Sequence, residues 1–314
     1  MSSDQHDHRH EALAPPEVVE VADGVFGYIQ PDGTWFINNT GFVAGRRTVL
    51  SVDTCATERR TRAYLETVEK VAGAKPTLLV NTHHHGDHTN GNCLAPFATI
   101  VGHERCRAEI EATGILDPGG FFEPVDWGDL EPAPPCVTFQ HELTLWVDDR
   151  RVELRHVTAA AHTTNDIVAW LPDAKVLFAG DLLFNGGTPF VLMGSVAGSL
   201  EALDRLVEFD AQVVVPGHGP PCSPAVIGDV GRYLRFVQDL ARQARPAGIG
   251  PLEAARHADL SDFAHLTDPE RLVGNLHRAY AEEDGARPGD PIDLRAAYRD
   301  MYAYNGGRPL RCLA

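Results

Sequence analysis

From Val18 to Asp53, short apolar runs alternate with polar breaks. Val18 to Val21 stops at Ala22-Asp23-Gly24, Val25 to Ile29 follows, and Thr40 to Ala44 is separated from Thr48 to Asp53 by Gly45-Arg46-Arg47. Brief β-favouring runs punctuated by turn residues predict strands joined as an antiparallel meander. From Thr57 to Val71 the rhythm changes: Ala63, Leu65, Val68 and Val71 recur at about the spacing of a helical turn, which predicts a helix. The helix leads into Pro76 to Val80, an apolar run that reads as a buried parallel strand, so strand, helix and strand form a crossover unit. A short strand over Thr99 to Val101 and a helix over His103 to Ala112 come next. The stretch from Gly114 to Pro135 is rich in Gly and Pro yet carries Phe121, Phe122 and Trp127, unusual for a plain linker, which predicts a long loop over a site, with a packed connector as the alternative.

The second half repeats the first in outline. Leu143 to Val147 and Val152 to Val157 flank Asp148-Asp149-Arg150, and Asp166 to Leu171 and Val176 to Ala179 flank Pro172-Asp173-Ala174. An amphipathic helix over Ser199 to Phe209, with Leu200, Leu203 and Leu206 in register, precedes a strand over Gln212 to Val215. Beyond Pro224 the pattern turns helical. Thr267-Asp268-Pro269-Glu270 has the form of a capping box opening a helix to about Ala281, and Ile292-Asp293 starts another.

Composition narrows the classes. The chain has 314 residues, 43% hydrophobic and 23% charged, ordinary values for a globular protein. A formal net charge of -17 argues against nucleic acid and against an anionic membrane. No run is long and apolar enough to span a bilayer, and the first fifteen residues lack the apolar stretch of a signal peptide, which makes the cytoplasm the default expectation. Cys55, Cys93, Cys106, Cys136, Cys222 and Cys312 form no C-x-x-C pair, so scattered reduced thiols are expected rather than disulfides or a zinc ribbon. His6, His8 and His10 lie in a hydrophilic tail, residues 1–15, that is expected to be disordered and to bind metal only adventitiously.

The chemistry is concentrated in Thr82-His83-His84-His85-Gly86-Asp87-His88, directly after the strand ending at Val80. Neutral imidazoles and ionised carboxylates are zinc ligands, and a strand-to-helix turn lets His83 and His85 face one ion while Asp87 and His88 face a neighbour. Three further candidates share one topological position, just past an apolar strand. They are His162, Asp181 in Gly180-Asp181, and His218 in Pro216-Gly217-His218. Each alone reads better as a core histidine or a turn aspartate, but a two-metal site needs about this many ligands beyond the first four.

Together these motifs resemble those of the metallo-β-lactamase fold hydrolases over roughly residues 18 to 225. The resemblance implies an α/β fold, an αβ/βα four-layer sandwich over 16–225, with residues 226–314 as a helical extension packed on it. It also implies two Zn2+, the first on His83, His85 and His162, the second on Asp87, His88 and His218, with Asp181 bridging. Flavodiiron relatives carry a glutamate where this chain has His85. Secreted β-lactamases carry a cysteine or no acidic ligand where it has Asp181. Both departures point to a zinc hydrolase acting on something other than a β-lactam, and the acidity argues against the nuclease relatives.

Three segments, Asp32 to Asn39, Asp53 to Arg62 and Gly180 to Phe190, are similar to those of the cyclase-thioesterases of aromatic polyketide biosynthesis. That similarity implies a poly-β-ketone held as a thioester on an acyl carrier protein. Metal-activated water would attack the acyl carbonyl, with Asp87 orienting it, and Asp53 is a candidate for fixing a histidine tautomer. Trp35, Phe36, Phe184 and Phe190, with Phe121, Phe122 and Trp127, could wall a flat acyl group or simply fill the core. Trp35, after Asp-Gly-Thr in a turn, is expected to be exposed near the site. A glyoxalase II-like thioester hydrolase or lactonase, and a non-catalytic metal-binding protein, are the competing readings. The tail after Pro224 could complete the fold, cover the pocket or form a homodimer face.

Overall fold

The computed structural model describes residues 13–115, 120–157 and 160–314. Positions 1–12 of the expected disordered tail, with His6, His8 and His10, lie outside the described residues.

The amino-terminal meander forms as predicted. Strands β1 (Glu17–Ala22), β2 (Val25–Ile29), β3 (Thr40–Ala44) and β4 (Val49–Val52) pair antiparallel in sequence order. Helix α1 (Glu58–Ala72) is capped by the Thr57 side chain, which accepts from the Arg60 amide, and it ends at left-handed Gly73. It returns the chain to β5 (Leu78–Val80), which pairs parallel with β4. After the short helix α2 (Gly86–Thr89), β6 (Thr99–His103) pairs parallel with β5 and leads into α3 (Glu104–Thr113). Strand β7 (Val137–Phe139) completes a seven-stranded sheet in the order β1-β2-β3-β4-β5-β6-β7. Three residues following a Pro-rich loop show too little periodicity to be read as a strand, and β7 was not expected.

The second sheet has the order β12-β11-β10-β9-β8, built from β8 (Glu142–Val147), β9 (Arg150–His156), β10 (Ile167–Leu171), β11 (Val176–Phe184) and β12 (Val213–His218). Again a meander is followed by a helix, α4 (Val196–Val207), and a parallel strand. Helix α4 begins three residues before the predicted start because the Ser195 hydroxyl caps it, accepting from the Gly198 amide. Strand β11 also runs past Asp181, which was expected to close it. Gly180, at φ +51°, shifts the register against β12 without ending the strand.

The near-continuous apolar runs are explained by burial on both faces. In β10, Ile167, Ala169 and Leu171 face the other sheet, packing with Val25, Leu50, Val80 and Val101, while Val168 and Trp170 face the helices. Each fully buried Leu, Ile or Val contributes on the order of 1.5–3 kcal/mol. On the outer side of the first sheet, Tyr64 and Val68 of α1 pack on Tyr28, Phe42 and Val49. The architecture is the expected α/β sandwich of two sheets between helices.

Beyond Pro224 lie α5 (Ala225–Ala244), α6 (Pro251–His257), α7 (Arg271–Glu283) and α8 (Leu294–Tyr304). The short α6 had no sequence signal strong enough to be predicted. Leu234, Leu272, Leu276 and Met301 from these helices share one apolar cluster with Leu177, Leu203 and Trp35. The expected capping box before α7 does not form. Its cap position, Glu270, turns its carboxylate to the Trp35 indole instead, and the Thr267 hydroxyl has no partner among the described residues. Asp293 does cap α8, accepting from the Ala296 amide.

Candidate metal centre

The candidate ligands come from both halves of the fold and meet where strands end. His83 and His85 follow β5, Asp87 and His88 lie in α2, His162 lies in the loop after β9, Asp181 is inside β11 and His218 closes β12. All seven are brought together. The ligand atoms of His83, His85, His162 and Asp181 lie within 4.8 Å of one another, as do those of Asp87, His88 and His218. His84, the remaining residue of the histidine run, faces away and accepts from the Asn165 amide at 3.0 Å.

Four of the five rings are oriented by a partner on the far nitrogen. His88 Nδ1 is 2.8 Å from Asp53 Oδ2, and His218 Nδ1 is 3.0 Å from the Gly33 carbonyl, while His162 Nδ1 reaches the Phe190 carbonyl. Carboxylate and carbonyl oxygens only accept here, so Nδ1 donates in all three, leaving Nε2 to face the centre. The Thr82 hydroxyl donates to Asp53 Oδ2 at 2.7 Å and so accepts from His83 Nδ1, which leaves His83 Nε2 free as well. His85 is turned the other way, its Nδ1 lying 2.8 Å from His162 Nε2.

The inward-facing atoms converge on Asp181, which lies 3.1 Å from His88 Nε2 and 3.4 Å from both His162 Nε2 and His218 Nε2. Asp87 lies 3.3 Å from His218 Nε2 and 3.8 Å from His88 Nε2. Among the described residues, His83 Nε2 is buried without a hydrogen-bond partner, and His88 Nε2 and Asp181 Oδ1, 3.1 Å apart, form no well-aligned hydrogen bond, although such groups are normally satisfied. Nitrogen and carboxylate donors aimed at shared points, with the outer nitrogens of four of the five rings already engaged, fit metal ions rather than a packed polar core.

The charges agree with that fit. Burial, with repulsion from neighbouring histidines, holds His83 and His85 well below the usual histidine range, so they stay neutral and able to ligate. Burial would also lower His88 and His218, but Asp181 and Asp87 outweigh it, raising His88 well above that range and His218 to about 9. Against the same burial, His218, His88 and His162 hold Asp181 well below the ordinary carboxylate range. Carboxylates set among imidazoles favour a positive charge at the centre.

Two glycines are required by this packing. A Cβ on Gly217 would lie 1.9 Å from Asp181 Oδ1, and one on Gly180, already at positive φ, would lie 2.8 Å from the Thr82 side chain.

Trp35, Phe184 and Phe190 line a cavity above the centre, with Phe36 and Tyr298. Trp35 is buried at 7% exposure, not exposed as its turn suggested. Its Nε1 donates to Glu270 Oε1 at 2.7 Å, its ring packs edge-on to Phe122 and Phe190, and the Arg271 guanidinium lies 4.2 Å from its centroid. The turn itself is present: the Thr34 amide donates to Asp32 Oδ1, and the adjacent Gly33 carbonyl orients His218. Phe122 packs on Trp35 and Phe36, Trp127 on Phe36, and Phe121 stacks on Tyr298. The loop beyond position 114 thus packs on residues that wall the cavity without lining it itself, and its residues 116–119 lie outside the described residues. Sequence reasoning missed Glu270, Arg271 and Tyr298. The only signal was the charged pair after Pro269, which read as a helix start.

A sequence model of the Metallo-beta-lactamase superfamily matches residues 33–218, more than half of the chain. The chain belongs to this superfamily. Among curated proteins, it is 30% identical over 170 residues to an acyl-coenzyme A thioesterase of Bos taurus, covering 47% of this chain and 57% of that protein. It is 30% identical over 201 residues to a hydroxyacylglutathione hydrolase of Brucella ovis, covering 62% of each. The matched segment therefore spans less than two thirds of these relatives. A metallo-beta-lactamase from Pontibacter korlensis shares the fold with a TM-score of 0.58 at 20% identity, covering 70% of this chain and 99% of that one. The His and Asp clusters within the matched region suit a metal site.

Proposed function

We propose that this member of the superfamily is a dinuclear zinc thioesterase whose acyl group is flat or aromatic, a carrier-protein-bound polyketide being the leading substrate. The observation that carries this reading is the cavity over the ligands, walled by Trp35, Phe36, Phe184, Phe190 and Tyr298. Flat apolar walls stack on flat acyl groups and offer few partners to a small hydroxylated one. The three segments similar to polyketide cyclase-thioesterases agree with it, because each contributes to the site: Trp35 and Phe36, Asp53, and Asp181 to Phe190. The thioester part of the reading is supported by the relatives, one named for acyl-coenzyme A and one for hydroxyacylglutathione.

Two zinc ions held by His83, His85, His162, Asp87, His88, His218 and the shared Asp181 would supply an activated water and polarise the acyl carbonyl. The chain's own residues do the rest. Asp87 borders the cavity at 7% exposure, where its carboxylate can orient a water and hold the proton it loses. Asp53, the Gly33 carbonyl and the Phe190 carbonyl fix three histidine tautomers. The aromatic walls exclude other water. Hydrolysis joins the water oxygen to the acyl carbon, breaks the C–S bond and gives a proton to the leaving thiolate.

The test is a side-by-side panel of carrier-protein, coenzyme A and glutathione thioesters with a homoserine lactone, combined with metal analysis. Aromatic or polyketide thioesters should give the highest kcat/KM, with two zinc ions bound per chain. Asp181→Ala and His218→Ala should each abolish turnover and lower metal content. Full activity in a metal-stripped protein would overturn the metallohydrolase reading. A preference for S-lactoylglutathione would instead establish the second reading, a glyoxalase II-like hydrolase, which the Brucella ovis relative favours.

A further inference from the structure

Arg271 stands at the first position of α7 with 2% exposure and borders the cavity together with Asp181 and His218. Its guanidinium lies 4.2 Å from the Trp35 ring centroid and 5.4 Å from that of Phe184. Nη1 donates to the Thr188 carbonyl at 3.0 Å, and Nη2 lies 2.9 Å from Asp268 Oδ2. Nε is buried and has no acceptor among the described residues. The nearest carboxylate is itself weakened, because burial pushes Asp268 up to about 6, against the pull of Arg271. The other nearby acid, Glu270, is engaged by the Trp35 indole. A buried arginine with a spare donor and an incompletely satisfied partner is costly unless something else accepts from it. A guanidinium set beside two cavity-lining aromatic rings, with one N–H unspent, offers a donor to an acceptor bound in that cavity.

We infer that Arg271 is the specificity-determining residue for the acyl group, selecting thioesters whose acyl chain carries a second oxygen acceptor, a ketone, enolate or carboxylate, beyond the thioester carbonyl. The inference rests on the thioesterase reading and deepens it. The rings hold the plane of the acyl group while Nε–H takes its additional oxygen. A purely hydrocarbon acyl chain would cover that N–H with nothing to accept from it, which disfavours such substrates. No group whose ionisation changes near neutrality is needed on the protein side.

The zinc-loaded protein would be assayed with N-acetylcysteamine thioesters of 3-oxobutanoate, succinate and butanoate. The ketone and carboxylate arms distinguish neutral from anionic acceptors. The wild type should show a KM for one or both oxygen-bearing substrates about tenfold or more below that for butanoate. Arg271→Met, which keeps the apolar volume, should erase most of that difference by raising KM for the oxygen-bearing substrates while leaving butanoate within about threefold, and Arg271→Lys should restore part of it. Equal KM values for all three substrates on the wild type would overturn the inference whether or not the variants fold. So would an equal loss on all three in Arg271→Met. If no thioester is turned over, the thioesterase reading fails separately. Arg271 is then judged by binding of the free acids, read from Trp35 fluorescence, and butanoate binding as tightly as 3-oxobutanoate or succinate would overturn its role.

Discussion

Asp53 shows how much a residue that binds no metal can decide. Its carboxylate accepts from the Thr82 amide and hydroxyl, both at 2.7 Å, and from His88 Nδ1 at 2.8 Å. One side chain thus orients His88 directly and His83 through Thr82. Partners of this kind typically change metal affinity about 10–100-fold when removed. Asp53→Ala should therefore weaken zinc binding by about that factor in a competition titration with a chelator, while the fold, read by circular dichroism, is retained. Unchanged affinity would mean that the Asp53 carboxylate is a packing feature alone. The candidate ligands that the structure brings together were legible in the sequence because chemistry-bearing residue types recur just after apolar strands. Arg271 was not, because its meaning depends on α7 folding back over Trp35, a contact between positions far apart in the chain that no local pattern encodes.

At the scale of elements, strands and long helices were legible and their joints less so. Strand β10 reads correctly because burial on both faces leaves an unbroken apolar run, whereas β7 and α6 are too short to show a period. The start of α3 adds a titratable joint. His103 caps this helix, its Nδ1 accepting from the Arg105 amide at 3.1 Å while Nε2 donates to the Gln140 carbonyl at 3.0 Å. A second proton would have to displace the capping bond. Burial, then the neighbouring His156, lowers His103 to about 4, with Arg105 adding to the effect and Glu104 opposing it. An unfolded histidine, near 6.5, gains its proton first as pH falls. The unfolded chain thus binds more protons between about 6.5 and 4, so stability is complete above that window and lost as pH drops through it. His103→Asn keeps a capping oxygen without the titration. Its melting temperature should fall less between pH 7 and pH 5 than that of the wild type; an identical fall would exclude His103 as a source of acid sensitivity.

At the scale of the molecule, each half contains a four-stranded meander, a helix and a parallel strand, to which the first half adds β6 and β7, and the centre lies where the two halves meet. His83, His85, Asp87 and His88 come from the first half, and His162, Asp181 and His218 from the second. Bound metal would therefore tie the two sheets together across the inter-sheet core formed by Leu50, Val80, Ile167 and Phe178. Without metal, the same place holds buried carboxylates and imidazoles that must share protons, together with candidate ligand atoms that have no partner among the described residues. Ions that bind the native chain and not the unfolded one stabilise it by about 2.7 kcal/mol per site at a hundredfold excess over Kd. For a chain of this size, such a gain should raise the melting temperature by about several degrees. Chelation should reverse that gain and zinc should restore it, while Asp181→Ala, lacking the shared ligand, should melt at nearly the same temperature with or without zinc. If the wild type melted identically in zinc and in chelator, the two halves would be held by the apolar core alone and the ligand cluster would have no part in joining them.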